Sequence, residues 1–472
     1  MHELHFPWIE FAILLPLIGA VWVARLRDPV VARVHCLFFA SLAFLASAAE
    51  TQDFYTLHTM RATDKWHFLT QMIGRELFVI DEVSAPLIPL TALLYLLTAL
   101  ATLRTKVPRF SFSTMLLGES MALALFSAVD PWVIILLLAA STIPPYFELR
   151  TRNRPTRLYV LAMSLSSLLM ALGWSIVQSR GGGTQSLTVL LPLIVAISIR
   201  CGVFPFQAWL GDLFESATFG TALLFSTPLA GAYAALRLIV PVSADGSLHT
   251  LGLLSLFTAV YASAMSMVQK DARRFFCCMV ISHTAMVLVG LEVATPIGLT
   301  GALCVWLSAG LSLGGFGLTL RALEARRGRL SLTHYQGLYE HAPALAICFL
   351  LTGLGCVGFP GTIGFIGTEM LIDGAVEAYP HVGPLIVIAA TFNGIAIMRA
   401  YFLLFTGTRY RSSVSLQIGG RERVAVLTLA ALILGGGLIP QPGVSTAFHA
   451  ATALLKERAD RIGVQAIDHS ER

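Results

Sequence analysis

Five ionisable side chains stand inside long apolar runs of this 472-residue chain, where each is costly unless it faces a polar interior. Glu119 lies in Leu117-Gly118-Glu119-Ser120, Arg200 directly before Cys201-Gly202, His283 in Ile281-Ser282-His283, Glu369 in Gly367-Thr368-Glu369, and Arg399 in the run that follows. Asp212, Glu215, Asp373 and Glu377 sit nearer the ends of their runs. Carboxylates and an imidazole take up and release protons, whereas a guanidinium keeps its charge. The chemistry such a set supports is the movement of protons or cations along a buried row. Each residue also has a structural reading. Glu369 would satisfy freed backbone donors, Glu119 would end a helix, His283 would hydrogen-bond on an apolar face, and Arg399 would anchor a helix or counter Glu369.

The elements that must hold these groups follow from composition. The chain is 56% hydrophobic and 12% charged, with a mean hydropathy of +0.75, and apolar runs recur from Trp8 to the neighbourhood of Leu438. That is an all-α polytopic membrane protein, which excludes a secreted enzyme, a nucleic-acid binder and a disordered scaffold. The net charge of +5 marks cytoplasmic loops and not an anionic ligand. Seven cysteines (Cys36, Cys201, Cys277, Cys278, Cys304, Cys348 and Cys356) lie mostly inside apolar runs without metal-ligand spacing and read as small core residues.

At roughly 20 apolar residues per span, breaks at charge clusters, Gly and Pro give about fourteen helices over 8-25, 31-49, 78-103, 111-129, 131-149, 157-178, 187-209, 218-240, 249-268, 274-294, 297-322, 343-378, 382-407 and 423-443. The first span lacks a basic leader and carries Glu10, so no cleaved signal peptide is expected. After odd-numbered spans come Arg25, Arg27 and Arg33; Arg104, Lys106 and Arg109; Arg150, Arg152, Arg154 and Arg157; Lys270, Arg273 and Arg274; Arg321, Arg326, Arg327 and Arg329; and Arg409, Arg411, Arg421 and Arg423. Even-numbered loops offer chiefly Arg61, Lys65, Arg75 and Arg180. This alternation predicts both termini on the periplasmic side of a bacterial inner membrane. Lys456, Arg458 and Arg461 disagree with it and are assigned to an amphipathic tail lying on the surface.

Two spans are interrupted. The seventh breaks around Gly202 and Pro205, and the twelfth around Gly358-Phe359-Pro360-Gly361 and Gly364. Pro removes a donor and Gly loosens the helix, so carbonyls are freed at membrane depth, a situation tolerated where the break lines a cavity. An odd offset of five spans gives the two broken helices opposite orientations, as in an inverted repeat of five-helix units; two independent proline kinks are the plainer alternative. No phosphate-binding glycine loop, paired-Cys motif, nucleophile elbow or zinc-type His spacing competes, and Gly181-Gly182-Gly183 reads as a turn.

Several stretches, in order, resemble one family. Phe204-Pro205-Phe206-Gln207-Ala208-Trp209-Leu210-Gly211-Asp212, Gly231-Ala232-Tyr233-Ala234-Ala235-Leu236-Arg237, Val268-Gln269-Lys270-Asp271-Ala272-Arg273-Arg274, Ile281-Ser282-His283 and the run from Phe359 to Glu369 look like the antiporter-like membrane subunits of respiratory complex I. Similar subunits occur in membrane hydrogenases and multisubunit cation/proton antiporters. Ile80-Asp81-Glu82-Val83-Ser84-Ala85-Pro86-Leu87 and Ile143-Pro144-Pro145-Tyr146-Phe147 most resemble the M-type subunit. The resemblance implies a fourteen-helix fold with broken helices seven and twelve, and charge transfer along a polar axis through Glu119, Arg200, His283, Glu369 and Arg399.

The chain departs from that family pattern at its charges. Ala139 stands where the fifth helix carries Glu, Arg200 and Leu229 where helices seven and eight carry Lys, and about Ala309 where helix eleven carries His. Thr368 intervenes before Glu369, shifting the twelfth-helix carboxylate by one residue. The reading is a proton- or cation-translocating membrane subunit of a complex I-like NADH-quinone oxidoreductase or hydrogenase-type assembly. It is at most a non-catalytic subunit of an oxidoreductase, with no cofactor, no metal and no nucleic acid. Other membrane subunits, membrane lipid and a soluble peripheral module are the expected partners. The rivals are a non-pumping docking subunit and the ion-conducting subunit of an inorganic-carbon uptake complex with a soluble zinc partner. The expected divisions are 1-110 for helices one to three, 111-240 for the first five-helix repeat, 241-407 for the inverted second, and 408-472 for the last helix and tail. Arg200 is expected to act as a fixed electrostatic gate or as a clamp on a carboxylate, the clamp being favoured, with a stand-in for a transporting Lys as the alternative.

Overall fold

The computed structural model describes residues 2–65, 77–181, 185–407 and 419–470. Arg75, Gly182, Gly183, Arg409 and Arg411 lie outside the described residues. The helices, in chain order, are α1 Trp8–Ala24, α2 Pro29–Thr56, α3 Ser84–Leu100, α4 Phe112–Ser127, α5 Pro131–Ala140, α6 Ile143–Thr151, α7 Arg157–Ser179, α8 Leu187–Cys201, α9 Ala208–Ser216 and α10 Phe219–Ser226. They continue with α11 Ala230–Ala234, α12 Asp245–Val268, α13 Ala272–Val293, α14 Pro296–Arg327, α15 Pro343–Val357, α16 Ile363–Ala378, α17 Val382–Phe405, α18 Gly420–Leu438 and α19 Gln441–Ser470. Every expected span falls on a helix or a broken helix, and eight described spans are long and apolar enough to cross a membrane, counting 131–151 (α5 with α6) and 219–242 (α10, α11 and the turns that follow) as one each, or nine with the bent pair α18 and α19. A small sheet, β1 His2–Glu3 parallel to β2 Arg61–Thr63 and β2 antiparallel to β3 Ile80–Asp81, closes one end of the bundle.

Local sequence sets the helix starts. Asp28-Pro29, Asp130-Pro131 and Thr295-Pro296 each place an oxygen that accepts from an early backbone N–H directly before a proline that has no N–H to leave unpaired. Asp271 caps α13 by accepting from the amides of Arg273 and Arg274.

The seventh and twelfth spans break in the same way. Each first half is 15 residues long and ends on a left-handed glycine, Gly202 at φ 68° and Gly358 at φ 78°, a conformation that glycine adopts without steric cost. In both, the next amide reaches back five residues: Val203 donates to the Ser198 carbonyl at 2.9 Å and Phe359 to that of Leu354 at 3.1 Å. Two further interruptions were not anticipated from the sequence. The fifth span is interrupted at Ser141-Thr142 between α5 and α6, and the eighth between α10 and α11 at Leu229, a non-glycine residue held at φ 55°.

The basic loops do gather at one end. Arg33 donates to the Leu100 carbonyl, Arg321 to the Thr98 carbonyl and the Thr102 hydroxyl, and Arg399 to the carbonyls of Gln269 and Leu332. Arg273 pairs with Glu324, and Arg326 with Glu422 at 2.9 Å. These contacts join the ends of odd-numbered spans to one another. The tail is different from expectation: α19 bends 77° away from α18 and packs Ala447, Ala450, Ala451 and Leu454 into the bundle. Glu457 of α19 accepts from Arg61 at 2.7 Å, and Arg458 donates to the Ser243 carbonyl. Of the three basic residues assigned to the tail, Arg458 is thus held by the protein itself, while Lys456 is exposed.

Candidate functional site

Three cavities run through the bundle between its broken spans. The first is lined by Tyr95, Thr114, Ser141, Arg200, Thr221 and a majority of apolar side chains. The second lies on the far side of Arg200, with Ser226, Leu229 and Thr284 in its wall. The third holds His283, Ser308, Thr368 and Asn393. The few polar groups in each wall offer water partners for its own hydrogen bonds.

Arg200 is buried on the last turn of α8, just before the Gly202 cap, and lines both the first and second cavities. It donates to the Ser141 hydroxyl at 2.8 Å and to the Met163 sulfur at 3.2 Å, and its guanidinium lies 4.3 Å from the centre of the Phe225 ring. No described carboxylate forms an ion pair with it. The expected clamp on a carboxylate is therefore corrected: Arg200 is held by a hydroxyl, a thioether and a π face. Ser141 stands in the interruption between α5 and α6, two residues beyond Ala139.

His283, on α13, ties its helix to the second broken span. Its Nε2 lies 2.6 Å from the Cys356 carbonyl, freed by the helix end at Gly358, and its Nδ1 lies 2.8 Å from the Met279 carbonyl. A neutral ring carries one N–H and donates to one of these two acceptors, while an imidazolium donates to both. At the first break the Ile199 carbonyl, three residues before the Gly202 cap, accepts from Trp209 Nε1 at 2.7 Å. Asn393 donates to the Ser282 hydroxyl at 3.0 Å, and its own buried oxygen has no hydrogen-bond partner among the described residues.

Glu119 is fully buried on α4, and neither carboxylate oxygen has a hydrogen-bond partner among the described residues. Its neighbour Gly118 lines the first cavity together with Tyr95. Glu369 is placed elsewhere than expected. It is exposed on the outside of α16, and Thr368 is the residue that turns into the third cavity. One residue is about 100° around a helix, so the inserted threonine takes the inward position and sends the carboxylate out. Arg399 is also off the row: it donates to the carbonyls of Gln269 and Leu332 at the odd-loop end and does not face Glu369. The structure thus brings Arg200 and His283 to cavities, Glu119 beside one, and neither Glu369 nor Arg399.

Two of the three positions where a charge is missing border these cavities. Leu229 lines the second and Ala309 the third. Space and hydroxyls stand there in place of ammonium and imidazole groups. The sequence reading also passed over Glu148, which is buried near the end of α6. Glu148 accepts from the Thr218 amide at 2.6 Å, from the Thr221 hydroxyl and from Arg152 at 3.3 Å. It lines a wide vestibule with Arg152 and Arg154 at the basic end, while Thr221 lines the Arg200 cavity. Its place within Phe147-Glu148-Leu149-Arg150, next to the basic loop, gave it the look of a loop charge.

A sequence profile of the NADH:quinone oxidoreductase/Mrp antiporter transmembrane family matches residues 156–393, about half of the chain. The chain is 23% identical to an NAD(P)H-quinone oxidoreductase chain 4 of Trichormus variabilis, over 93% of this chain and 90% of that one. It is 24% identical to the NADH-quinone oxidoreductase subunit M of Rickettsia conorii, over 93% and 96%. Its fold is similar to a chain of the Mrp complex from a Dietzia species, with a TM-score of 0.83, 18% identity and 96% and 99% coverage. It is also similar to a chain of respiratory complex I from Thermus thermophilus, with a TM-score of 0.82, 24% identity and 95% and 99% coverage.

Proposed function

The chain belongs to the NADH:quinone oxidoreductase/Mrp antiporter transmembrane family, and from that premise we propose that it is a proton- or cation-translocating membrane subunit of a complex I-like or hydrogenase-type assembly. The observation that carries the reading is the position of Arg200, a permanent charge in the wall between two cavities, with no carboxylate paired to it among the described residues. On one side lies Glu119, on the other His283 beyond the second cavity. Both are titratable, and the hydroxyls of Ser141, Thr221, Ser226, Thr284, Ser308 and Thr368 supply a polar wall between them. In this reading protons move through water and hydroxyls on either side of a fixed positive gate, in place of a row of exchanging Lys and Glu charges.

The two halves around the gate are 111-240 and 241-407, inverted repeats supported by the matching caps at Gly202 and Gly358. In the complex, assembled and reconstituted into vesicles, Glu119→Gln keeps the shape of the side chain and removes its proton. Assembly is expected to be intact and proton translocation reduced. Undiminished translocation would take Glu119 out of the path and favour a subunit that docks its neighbours without pumping.

The orientation proposed places both termini on the periplasmic side of the inner membrane, because the clustered arginines mark the cytoplasmic end. Arg154 is exposed at that end. A cysteine at Arg154 should react with an impermeant maleimide only after the cells are opened; reaction in intact spheroplasts would invert the topology.

A further inference from the structure

The fifth span carries a buried carboxylate that the row through Arg200 does not use. Glu148 lies in the floor of the vestibule at the basic end, with its side chain 6% exposed, while Pro108, Ser111, Thr151 and Arg154 around it are exposed. Its two oxygens have different surroundings. Oε1 accepts from the Thr218 amide at 2.6 Å and from Arg152 at 3.3 Å, whereas Oε2 accepts from the hydroxyls of Thr221 and, at 3.3 Å, Thr218. Those two threonines open α10, and Thr221 also lines the first cavity together with Thr114, Ser141 and Arg200. One residue, Thr221, thus stands between the vestibule carboxylate and the cavity of Arg200. Among the described residues lining either space, Glu148 is the only carboxylate.

We propose that Glu148 is the intake group of this subunit, taking a proton from water in the vestibule and passing it through the Thr221 hydroxyl to water in the Arg200 cavity. In the first step a hydronium in the vestibule gives its proton to the carboxylate and leaves as water. The carboxylic acid then donates to Thr221 Oγ1 as Thr221 releases its own proton to a water of the inner cavity, and rotation of the hydroxyl restores the starting hydrogen bond. A hydroxyl suits the middle place because it donates and accepts at once, and a carboxylate suits the mouth because it binds and releases a proton. Arg152 and the Thr218 amide hold Oε1, which keeps Oε2 aimed at the threonines. The position is not that of the family's fifth-helix Glu. Nine residues separate Glu148 from Ala139, about 13 Å along a helix toward the basic end, so Glu148 stands at the mouth of the cavities and not level with Arg200.

The proposal rests on the reading of this chain as a translocating subunit. The test uses the whole complex reconstituted into vesicles, with proton uptake followed by a pH dye once electron transfer is started, and with assembly and thermal unfolding measured alongside. Glu148→Gln keeps an oxygen that accepts from the threonines and cannot carry the proton onward. It should assemble and unfold like the native complex, and slow the uptake that this subunit carries by about a hundredfold, the lower end for a positioned proton-transfer group. Thr221→Val keeps the shape and removes only the hydroxyl, so it should give the same loss, whereas Thr221→Ser should keep native uptake. The double variant should be no slower than either single one, since both stop the same route. Native uptake in Glu148→Gln overturns the proposal, and so does native uptake in Thr221→Val. If Glu148→Gln fails to assemble while Thr221→Val takes up protons normally, Glu148 is an anchor for the start of α10 and no intake. A native complex that turns over without taking up protons shows that the translocating reading itself has failed; uptake that is equal in the native complex and both variants rejects only the route through Glu148.

Discussion

Replacing Arg237 with alanine is expected to cost about 3–5 kcal/mol of stability, the range for leaving one member of a buried ion pair alone. Arg237 lies in a π-helical turn of the eighth span, and one guanidinium nitrogen bridges both oxygens of Asp81, at 2.8 and 2.7 Å. The two side chains are 6% and 10% exposed. Asp81 also accepts from the Ser84 amide and hydroxyl, which begins α3. The guanidinium sits 5.0 Å from the centre of the Tyr233 ring, whose hydroxyl donates to the carbonyls of Phe126 and Ala128 at the end of the fourth span. Three spans are thereby locked at the even-loop end, and the stranded Asp81 carboxylate would face a largely apolar interior.

The measurement is thermal unfolding of the detergent-purified complex, run as a double-mutant cycle. Asp81→Ala alone should cost a similar amount, and Asp81→Leu with Arg237→Met should recover much of the loss, since an apolar pair carries no desolvation penalty. Equal stability of the Arg237→Ala variant and the native complex would show that the pair contributes little. Additive losses across the cycle would show that the two residues act separately.

That pair also shows what a linear sequence reveals. Both partners lie inside stretches singled out by resemblance, Ile80-Asp81-Glu82-Val83 and the run ending at Arg237, yet 156 residues separate them and no spacing rule links them. The spans were legible because apolar runs of membrane length have few other uses. The seventh and twelfth breaks were legible because Gly and Pro occur together there. The break at Leu229 was not, since a leucine at φ 55° leaves no mark in composition. Buried charges could be picked out, but their direction could not. Thr368 and Glu369 differ by one position, and only packing of Gly364, Gly367 and Gly374 against α14 decides which of them faces the cavity. The paired glycines leave α16 no freedom to rotate without driving side chains into the α14 backbone.

The same geometry fixes the sign expected at Arg200. A guanidinium that clamped a carboxylate would, on removal, leave a stranded anion and a damaged assembly. Its contacts are instead Ser141, Met163 and Phe225, none of which is charged, so Arg200→Met should assemble. What the substitution removes is a positive charge between two cavities. At about 8 Å and an effective dielectric of about 20, that charge raises the energy of a transiting proton by about 2 kcal/mol, roughly a thirtyfold factor in rate. Vesicles containing the Arg200→Met complex should therefore dissipate an imposed pH gradient about thirtyfold faster through this subunit when the electron-transfer reaction is idle, and lose coupled translocation when it runs. Arg200→Lys keeps the charge in its protonated form but can release it when desolvated, so its idle leak should fall between those of the native and Met forms. An unchanged leak in Arg200→Met would remove the gate from the mechanism. A complex that fails to assemble would show that Arg200 does hold an anion, one contributed by a neighbouring subunit.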